Sequence, residues 1–373
     1  MIVNVNLKRK VMEGSSLILL GISSMLLVAV SSCEKDEKKD NDAYSRIQPR
    51  LAKPSWGPTL TPQMQAVIET FDTIAPVPIF NLTPQQARLQ PSAADAAARV
   101  MRNFNIPVPA RNVDTMGRDI PVAGGSIHLR IYTPKTGKAS YPVIVYYPGG
   151  GWVIATIDTY DASAQALAEK TDAVLISVAY RKGPEFKFPT AHKDAFAAYR
   201  WALRNASTIK GDSTKIAVAG ESAGGNLAVA VSMMARDSSV RRPVHQLAVY
   251  PVANKDLNTA SKNQYAGAKP LATPALPWFL MHYLNSTAEA ANPLISLVDA
   301  NLSGLPKTTI IAAEIDPLQT EGRQLADKLV AANIAVTYKL YVGVTHEFFG
   351  MAAVIPEARD AQDLAAAELK KSF

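Results

Sequence analysis

Residues 220–225 read Gly-Glu-Ser-Ala-Gly-Gly. The run follows a segment, 215–219, whose apolar character predicts a strand, and it precedes a helical pattern expected to open at Asn226. A serine in so tight a strand-to-helix turn projects its hydroxyl above the strand end. The helix N-terminus beside it favours developing negative charge. Gly220 and Gly224 supply the small residues the turn needs two places before and after Ser222. The chemistry suggested is nucleophilic attack by the Ser222 hydroxyl. A serine hydroxyl is a poor nucleophile near neutral pH, so a base must be found elsewhere in the chain.

The chain has five histidines. His128 lies in an early hairpin strand, His245 begins a strand, and His282 sits in a helical stretch of an insertion. His192 follows Phe188-Pro189-Thr190 at a helix start. These four are expected to pack, cap or lie on the surface. His346 instead follows the strand read at 336–341 in the loop Val342-Gly343-Val344-Thr345, which makes it the expected base. An acid should lie between Ser222 and His346, after another strand. Asp316 stands just past the strand at 309–313, with Pro317, Leu318 and a helix after it. It would hold the imidazole in one tautomer and stabilise the imidazolium. Asp299 precedes that strand and so falls at the wrong edge. Donors for an oxyanion are expected from Pro148-Gly149-Gly150-Gly151-Trp152, where glycines let backbone N–H groups converge on one oxygen. The N–H groups of Gly150, Gly151 and Ala223 are the candidates. Only protein side chains and backbone are needed, so neither a metal nor an organic cofactor is expected.

These groups need a scaffold that puts strand ends side by side. Strands are read at 119–122 and 126–132 around a glycine turn, then at 143–147, 174–178, 216–219, 247–250, 309–313 and 336–341. Helical patterns are read around 195–203 and at 227–234, 318–332 and 357–369. Strands alternating with helices predict an α/β fold, a mainly parallel central sheet with helices on both faces. The uninterrupted apolar run at 143–147 suits a strand buried on both sides. Before the sheet, Thr61-Pro62 and Thr83-Pro84 each read as a helix start with a cap and a proline in the first turn. Met64, Val67, Ile68 and Phe71 form an apolar face at helical spacing. The expected organisation is therefore a helical cap over 44–110 and a catalytic domain over 111–373, with 253–297 contributing to the cap and the pocket lying beneath both.

With these motifs in order, the chain resembles the hormone-sensitive-lipase family of bacterial esterases, an α/β-hydrolase fold. Gly149-Gly150-Gly151 resembles its His-Gly-Gly-Gly, and Gly220–Gly225 its Gly-Asp-Ser-Ala-Gly-Gly. Tyr180-Arg181-Lys182-Gly183-Pro184-Glu185 resembles its Tyr-Arg-Leu-Ala-Pro-Glu, and Phe188-Pro189 also fits. The segment 313–318 resembles its acid motif, His346 its histidine loop, and 60–92 its cap helices. The resemblance implies hydrolysis of carboxylic esters with short acyl chains, through an acyl-enzyme on Ser222. A carbohydrate deacetylase or an amidase would use the same triad. A ligand-binding member of the fold lacks the histidine that this chain keeps. Glu221 in place of aspartate is a mild departure. Pro148 in place of histidine is a larger one, since the family attributes bracing of the glycine loop to that histidine. The fixed φ of Pro148 and packing of Tyr147 and Trp152 are the expected substitutes.

The N-terminus reads separately. Lys8-Arg9-Lys10 precedes an apolar stretch at 15–30, too short to span a bilayer comfortably. It ends in Val30-Ser31-Ser32-Cys33, which resembles the lipobox of bacterial lipoprotein signal peptides. A signal peptide is expected over 1–33 and a solvated tether over 34–43. Cys33 would carry the lipid and hold the protein at the membrane in the cell envelope, on the periplasmic side or the surface. Cys33 is the only cysteine, so no internal disulfide or multi-thiolate metal site can form. Without 1–33 the chain has 36 basic against 31 acidic residues, scattered and not interleaved with aromatics. No nucleic-acid partner is expected.

Overall fold

In the computed structural model, residues 43–373 are described. The expected signal peptide, Cys33 and nearly all of the tether lie outside them. The sheet begins with β1 (Val113–Val122) and β2 (Gly125–Pro134), an antiparallel hairpin joined through Gly124, whose φ is 76°. β2 then pairs antiparallel with β4 (Val174–Ala179). All later pairings are parallel, through β3 (Tyr141–Tyr147), β5 (Gly211–Glu221), β6 (His245–Val249), β7 (Lys307–Ile315) and β8 (Val336–Thr345). The eight strands stand in the order β1-β2-β4-β3-β5-β6-β7-β8.

Alternation along β3 shows why its apolar run is continuous. Val143, Val145 and Tyr147 pack with Ala195 and Tyr199 of α5 (Thr190–Asn205) and Leu227 of α6 (Ala223–Asp237). The intervening Ile144 and Tyr146 are equally buried on the other face. There α4 (Asp161–Thr171) and α10 (Pro356–Lys370) pack on one another. Both faces are covered, as a parallel sheet requires.

Ahead of the sheet stand α1 (Pro62–Ile74), α2 (Pro84–Leu89) and α3 (Ala93–Asn103). Thr61 caps α1 and Thr83 with Gln86 forms a capping box on α2, both with proline in the first turn. α3 has its own box, Ser92 with Asp95, which the sequence reading passed over. Residues 47–373 form one compact unit, and Arg88 of α2 is one reason. Its guanidinium donates to Val153 O (2.8 Å), to Gly183 O (2.5 Å) and to both oxygens of Glu185 (2.9 and 2.7 Å).

Several boundaries differ from those expected, two of them beside the site. α6 opens at Ala223, three residues earlier than Asn226, so the helix starts immediately after Ser222. β8 runs on to Thr345 and leaves no free loop before His346. α4 was unread, because Asp-Ala-Ser-Ala-Gln-Ala-Leu-Ala-Glu-Lys-Thr carries almost no large apolar side chain to mark a face.

Two helices meet at a buried ion pair. Lys262 of α7 (Ala260–Gln264) is 1% exposed and Glu321 of α9 (Gln319–Ala331) 0%, with N and O 2.5 Å apart. Glu321 also accepts from Ala253 N at 2.7 Å. Removing one member strands a buried charge, which costs about 3–5 kcal/mol. Lys262→Met should therefore lower unfolding free energy in urea by about that amount, and Lys262→Met with Glu321→Met should recover most of it.

Candidate active site

β5 delivers Ser222 into a turn with φ 57° and ψ −119°, a backbone that side-chain-bearing residues adopt only under constraint. The Ser222 N–H donates to Val249 O at 2.9 Å. The glycines expected at this turn are sterically required. A β-carbon on Gly224 would lie 1.9 Å from Tyr147 O, and one on Gly220 2.1 Å from Gly224 O. Ser222 is 6% exposed and lines a cavity, as does His346. No hydrogen bond joins their side chains among the described residues, a looseness usual before substrate binds.

Asp316 leaves the end of β7 fully buried, and its two oxygens do separate work. Oδ1 accepts from Leu318 N at 2.8 Å, while Oδ2 stands 2.7 Å from His346 Nδ1. With Nδ1–H donated to the carboxylate, Nε2 is the ring nitrogen left to act as a base. Burial works to lower the proton affinity of His346, but the Asp316 carboxylate outweighs it and the net direction is upward. The Tyr250 ring packs against the imidazole with centroids 4.5 Å apart.

The other histidines fall where they were expected, in packing or at the surface. His128 faces Asp119 at the surface, His245 is buried between Ser372 and Thr309, and His282 lies edge-on to Trp278. His192 is fully buried, and burial holds it neutral down to about 4. Its Nδ1 meets Tyr283 OH at 2.8 Å and its Nε2 meets Asn226 Oδ1 at 3.1 Å. Asp299 lies away from His346, paired with Lys255 at 2.6 Å.

The glycine loop follows β3. Gly150 (φ 98°) and Gly151 (φ 58°) are left-handed and line the cavity. Among the described residues no protein acceptor takes the N–H of Gly150, Gly151 or Ala223. A β-carbon on Gly151 would meet Phe279 at 2.2 Å. The brace for this loop is only partly the one expected. Trp152 does pack, stacked on Tyr283 with centroids 4.9 Å and planes 16° apart. The backbone itself is held by Tyr180, whose hydroxyl reaches Pro148 O (2.8 Å) and Gly149 O (3.2 Å). Tyr180 begins the Tyr-Arg motif, which was read for resemblance but given no task. Carbonyl contacts do not depend on Pro148 being proline.

The cavity has a volume of about 570 Å³. Residues 71–95 and 252–280 supply much of its wall, among them Phe71, Leu257, Leu271, Phe279 and Leu280. Its size and apolar lining suit a small organic molecule. Among the described residues no three of His, Cys, Asp and Glu group to hold a metal ion.

Two carboxyls near the site went unread as functional. Glu221, 1% exposed, accepts from the hydroxyls of Tyr146 and Tyr250, one on each oxygen. Burial, and then the charge of Glu347, push it up to about 7 against those hydrogen bonds. Glu347 lines the cavity and accepts from Tyr160 OH at 2.6 Å. The only sequence signal was its place beside His346.

A serine on a strand-to-helix elbow, with an acid and then a histidine at later strand ends of a mainly parallel sheet, defines a class. The chain belongs to the alpha/beta hydrolase fold family, whose model matches residues 144–350. It is similar to Carboxylesterase NlhH of Mycobacterium tuberculosis, 32% identical over 331 residues, covering 87% of this chain and 99% of that one. Ethyl acetate hydrolase of Pseudomonas putida is 29% identical over 308 residues, covering 82% and 95%. Among solved structures, a hyperthermophilic esterase from Pyrobaculum calidifontis superposes with a TM-score of 0.76 at 33% identity, covering 84% and 98%. A thermostable esterase from Pseudomonas putida does so with a TM-score of 0.77 at 30% identity, also covering 84% and 98%. The family expectation drawn from the motifs holds.

If Tyr180 is the brace, Tyr180→Phe should lower turnover of an acyl ester about tenfold, the rate equivalent of about 1.4 kcal/mol. Pro148→Ala should stay within about twofold, since its carbonyl is retained. Steady-state kinetics on both variants, with thermal melting as a folding control, checks this.

Proposed function

We propose that the chain is a carboxylesterase that works through an acyl-enzyme on Ser222. The observation that carries this reading is the 2.7 Å contact of Asp316 with His346 Nδ1, beside a serine on a strained elbow in the same cavity. The Ser222 Oγ attacks the ester carbonyl carbon while its proton passes to His346 Nε2. Asp316 fixes the ring and balances the imidazolium. The N–H groups of Gly150, Gly151 and Ala223 hold the oxyanion. The imidazolium then returns its proton to the departing alcohol oxygen. Water, deprotonated by His346, attacks the acyl carbon and frees the acid and Ser222. Short acyl esters are the substrates we infer, a choice supported by the name of the ethyl acetate hydrolase relative.

A fluorophosphonate should label Ser222, mapped by peptide mass. Ser222→Ala should abolish labelling and cost several orders of magnitude in kcat with melting unchanged. Asp316→Asn should lower kcat by about 10⁴, through the wrong tautomer of His346. A label on another serine would exclude this mechanism.

We further propose that Cys33 carries lipid and tethers the enzyme to the membrane of a bacterial cell envelope. The charged n-region, the apolar stretch and Val30-Ser31-Ser32-Cys33 support this. Among the described residues no helix is long and apolar enough to cross a membrane. Palmitate labelling of cells should mark the wild type and not Cys33→Ala. A chain starting near Asp42 should be soluble and active. If that chain still requires detergent, the anchor lies elsewhere.

A further inference from the structure

Glu347 has a backbone that nothing in the mechanism above explains. Its φ is 73°, in the left-handed region where glycine sits at no cost and a residue with a β-carbon is strained. Strain of this kind persists where surrounding structure enforces it, and it clusters at functional sites. The strained residue here carries a carboxyl group, adjoins the base in sequence and lines the cavity.

The geometry around it is specific. Glu347 Oε1 accepts from Tyr160 OH at 2.6 Å and stands 3.9 Å from His346 Nε2. Tyr160 is 4% exposed, so the carboxylate is held by a buried donor. At 3.9 Å the charge acts on the ring, but the distance is too long for a hydrogen bond that would draw the Nε2 proton away from substrate. Asp316 grips the opposite edge of the ring at Nδ1. The imidazole therefore stands between two carboxyl groups.

The titratable groups that interact electrostatically with Glu347 come from several elements. They are Asp316 after β7, Glu221 at the end of β5, Tyr146 of β3, Tyr180 after β4, Tyr250 after β6 and Tyr160 before α4. Among the described residues no lysine or arginine forms an ion pair with Glu221 or Glu347. Burial pushes Glu221 up to about 7. Burial also raises Glu347, while the charge of His346 and then the Tyr160 hydrogen bond work to keep it ionised. Among the described residues, the cation that acts on Glu347 is the imidazolium of His346.

We propose that Glu347 is a positioning residue for the base, its carboxylate held by Tyr160 on the substrate-facing edge of His346 so that it stabilises the ring each time the ring takes a proton. This rests on the reading of Ser222 and His346 given above. The proton itself still travels from Ser222 Oγ to His346 Nε2 and on to the leaving group. Glu347 neither gives nor takes it.

The test is the acidic limb of the kcat/KM profile, which reports the proton affinity of the free base. A negative charge beside the ring raises that affinity, so removing the charge moves the limb to lower pH. In Glu347→Gln the limb should move down by about one unit, a tenfold change in proton affinity. The plateau should fall several-fold, because a less basic ring is a weaker base. Glu347→Gly removes the same charge and suits the positive φ, so it supplies the measurement if the glutamine variant folds poorly. Glu347→Asp keeps the charge and should leave the limb within a few tenths of a unit. A plateau that falls in both the Gln and Gly variants with the limb unmoved, or a limb moved to higher pH, overturns the proposal. Fluorophosphonate labelling of each variant separates the two levels of the argument. If the wild type is not labelled at Ser222, the esterase reading fails. If it is labelled and the limb does not shift, only the assignment of Glu347 fails.

Discussion

A carbonyl of β3 and a glycine of α6 occupy a space no side chain could enter. The 1.9 Å that would separate a Gly224 β-carbon from Tyr147 O is the closest steric constraint in the site. It brings the start of α6 against the end of β3, and much follows from that contact. Ser222 is forced into its left-handed turn, and its N–H turns to Val249 on the far neighbour strand. The glycine loop, which continues from Tyr147, has to leave β3 beside Ser222. Ala223 stands at the first position of the helix, directly after Ser222. One close approach therefore sets Ser222 beside the proposed oxyanion donors before any hydrogen bond between them is considered.

The loop is then held from behind by an aromatic and imidazole chain. Trp152 stacks on Tyr283, Tyr283 OH meets His192, and His192 meets Asn226. The chain links the glycine loop, α8 (Ala275–Tyr283), α5 and α6. Burial that holds His192 neutral lets one nitrogen donate while the other accepts, which an imidazolium cannot do. Arg88 adds a second tie, from a cap helix to the carbonyls of Val153 and Gly183. The helical segment that walls the cavity is thus fastened to the loop that serves it.

What was legible in the sequence were features with local signatures. Ser222 was marked by its flanking glycines, and Asp316 and His346 by their places past strand ends. The caps of α1 and α2 were marked by Thr-Pro pairs. What was not legible depends on distance across the fold. Tyr180 reaches Pro148 only because β3 and β4 are neighbours. Glu221 looked like a mild replacement, yet its carboxyl ends between Tyr146 of β3 and Tyr250 just after β6. Glu347 carries no local mark of its left-handed backbone, since glutamate rarely adopts one. A helix was missed where composition was bland, as in alanine-rich α4, and a boundary fell short where Gly343 interrupts the apolar run that is the end of β8.

The site is assembled from the ends of β3, β5, β7 and β8, in parallel pairs whose partners are far apart in the chain. Such pairings have high contact order, and their loop-closure entropy must be met before any of them is rewarded. No fragment that stops short of β8 holds both Ser222 and His346. Recovery of ester hydrolysis after denaturation therefore reports completion of the sheet through β8. A partly folded intermediate, with its sheet edge still open, has secondary structure without chemistry.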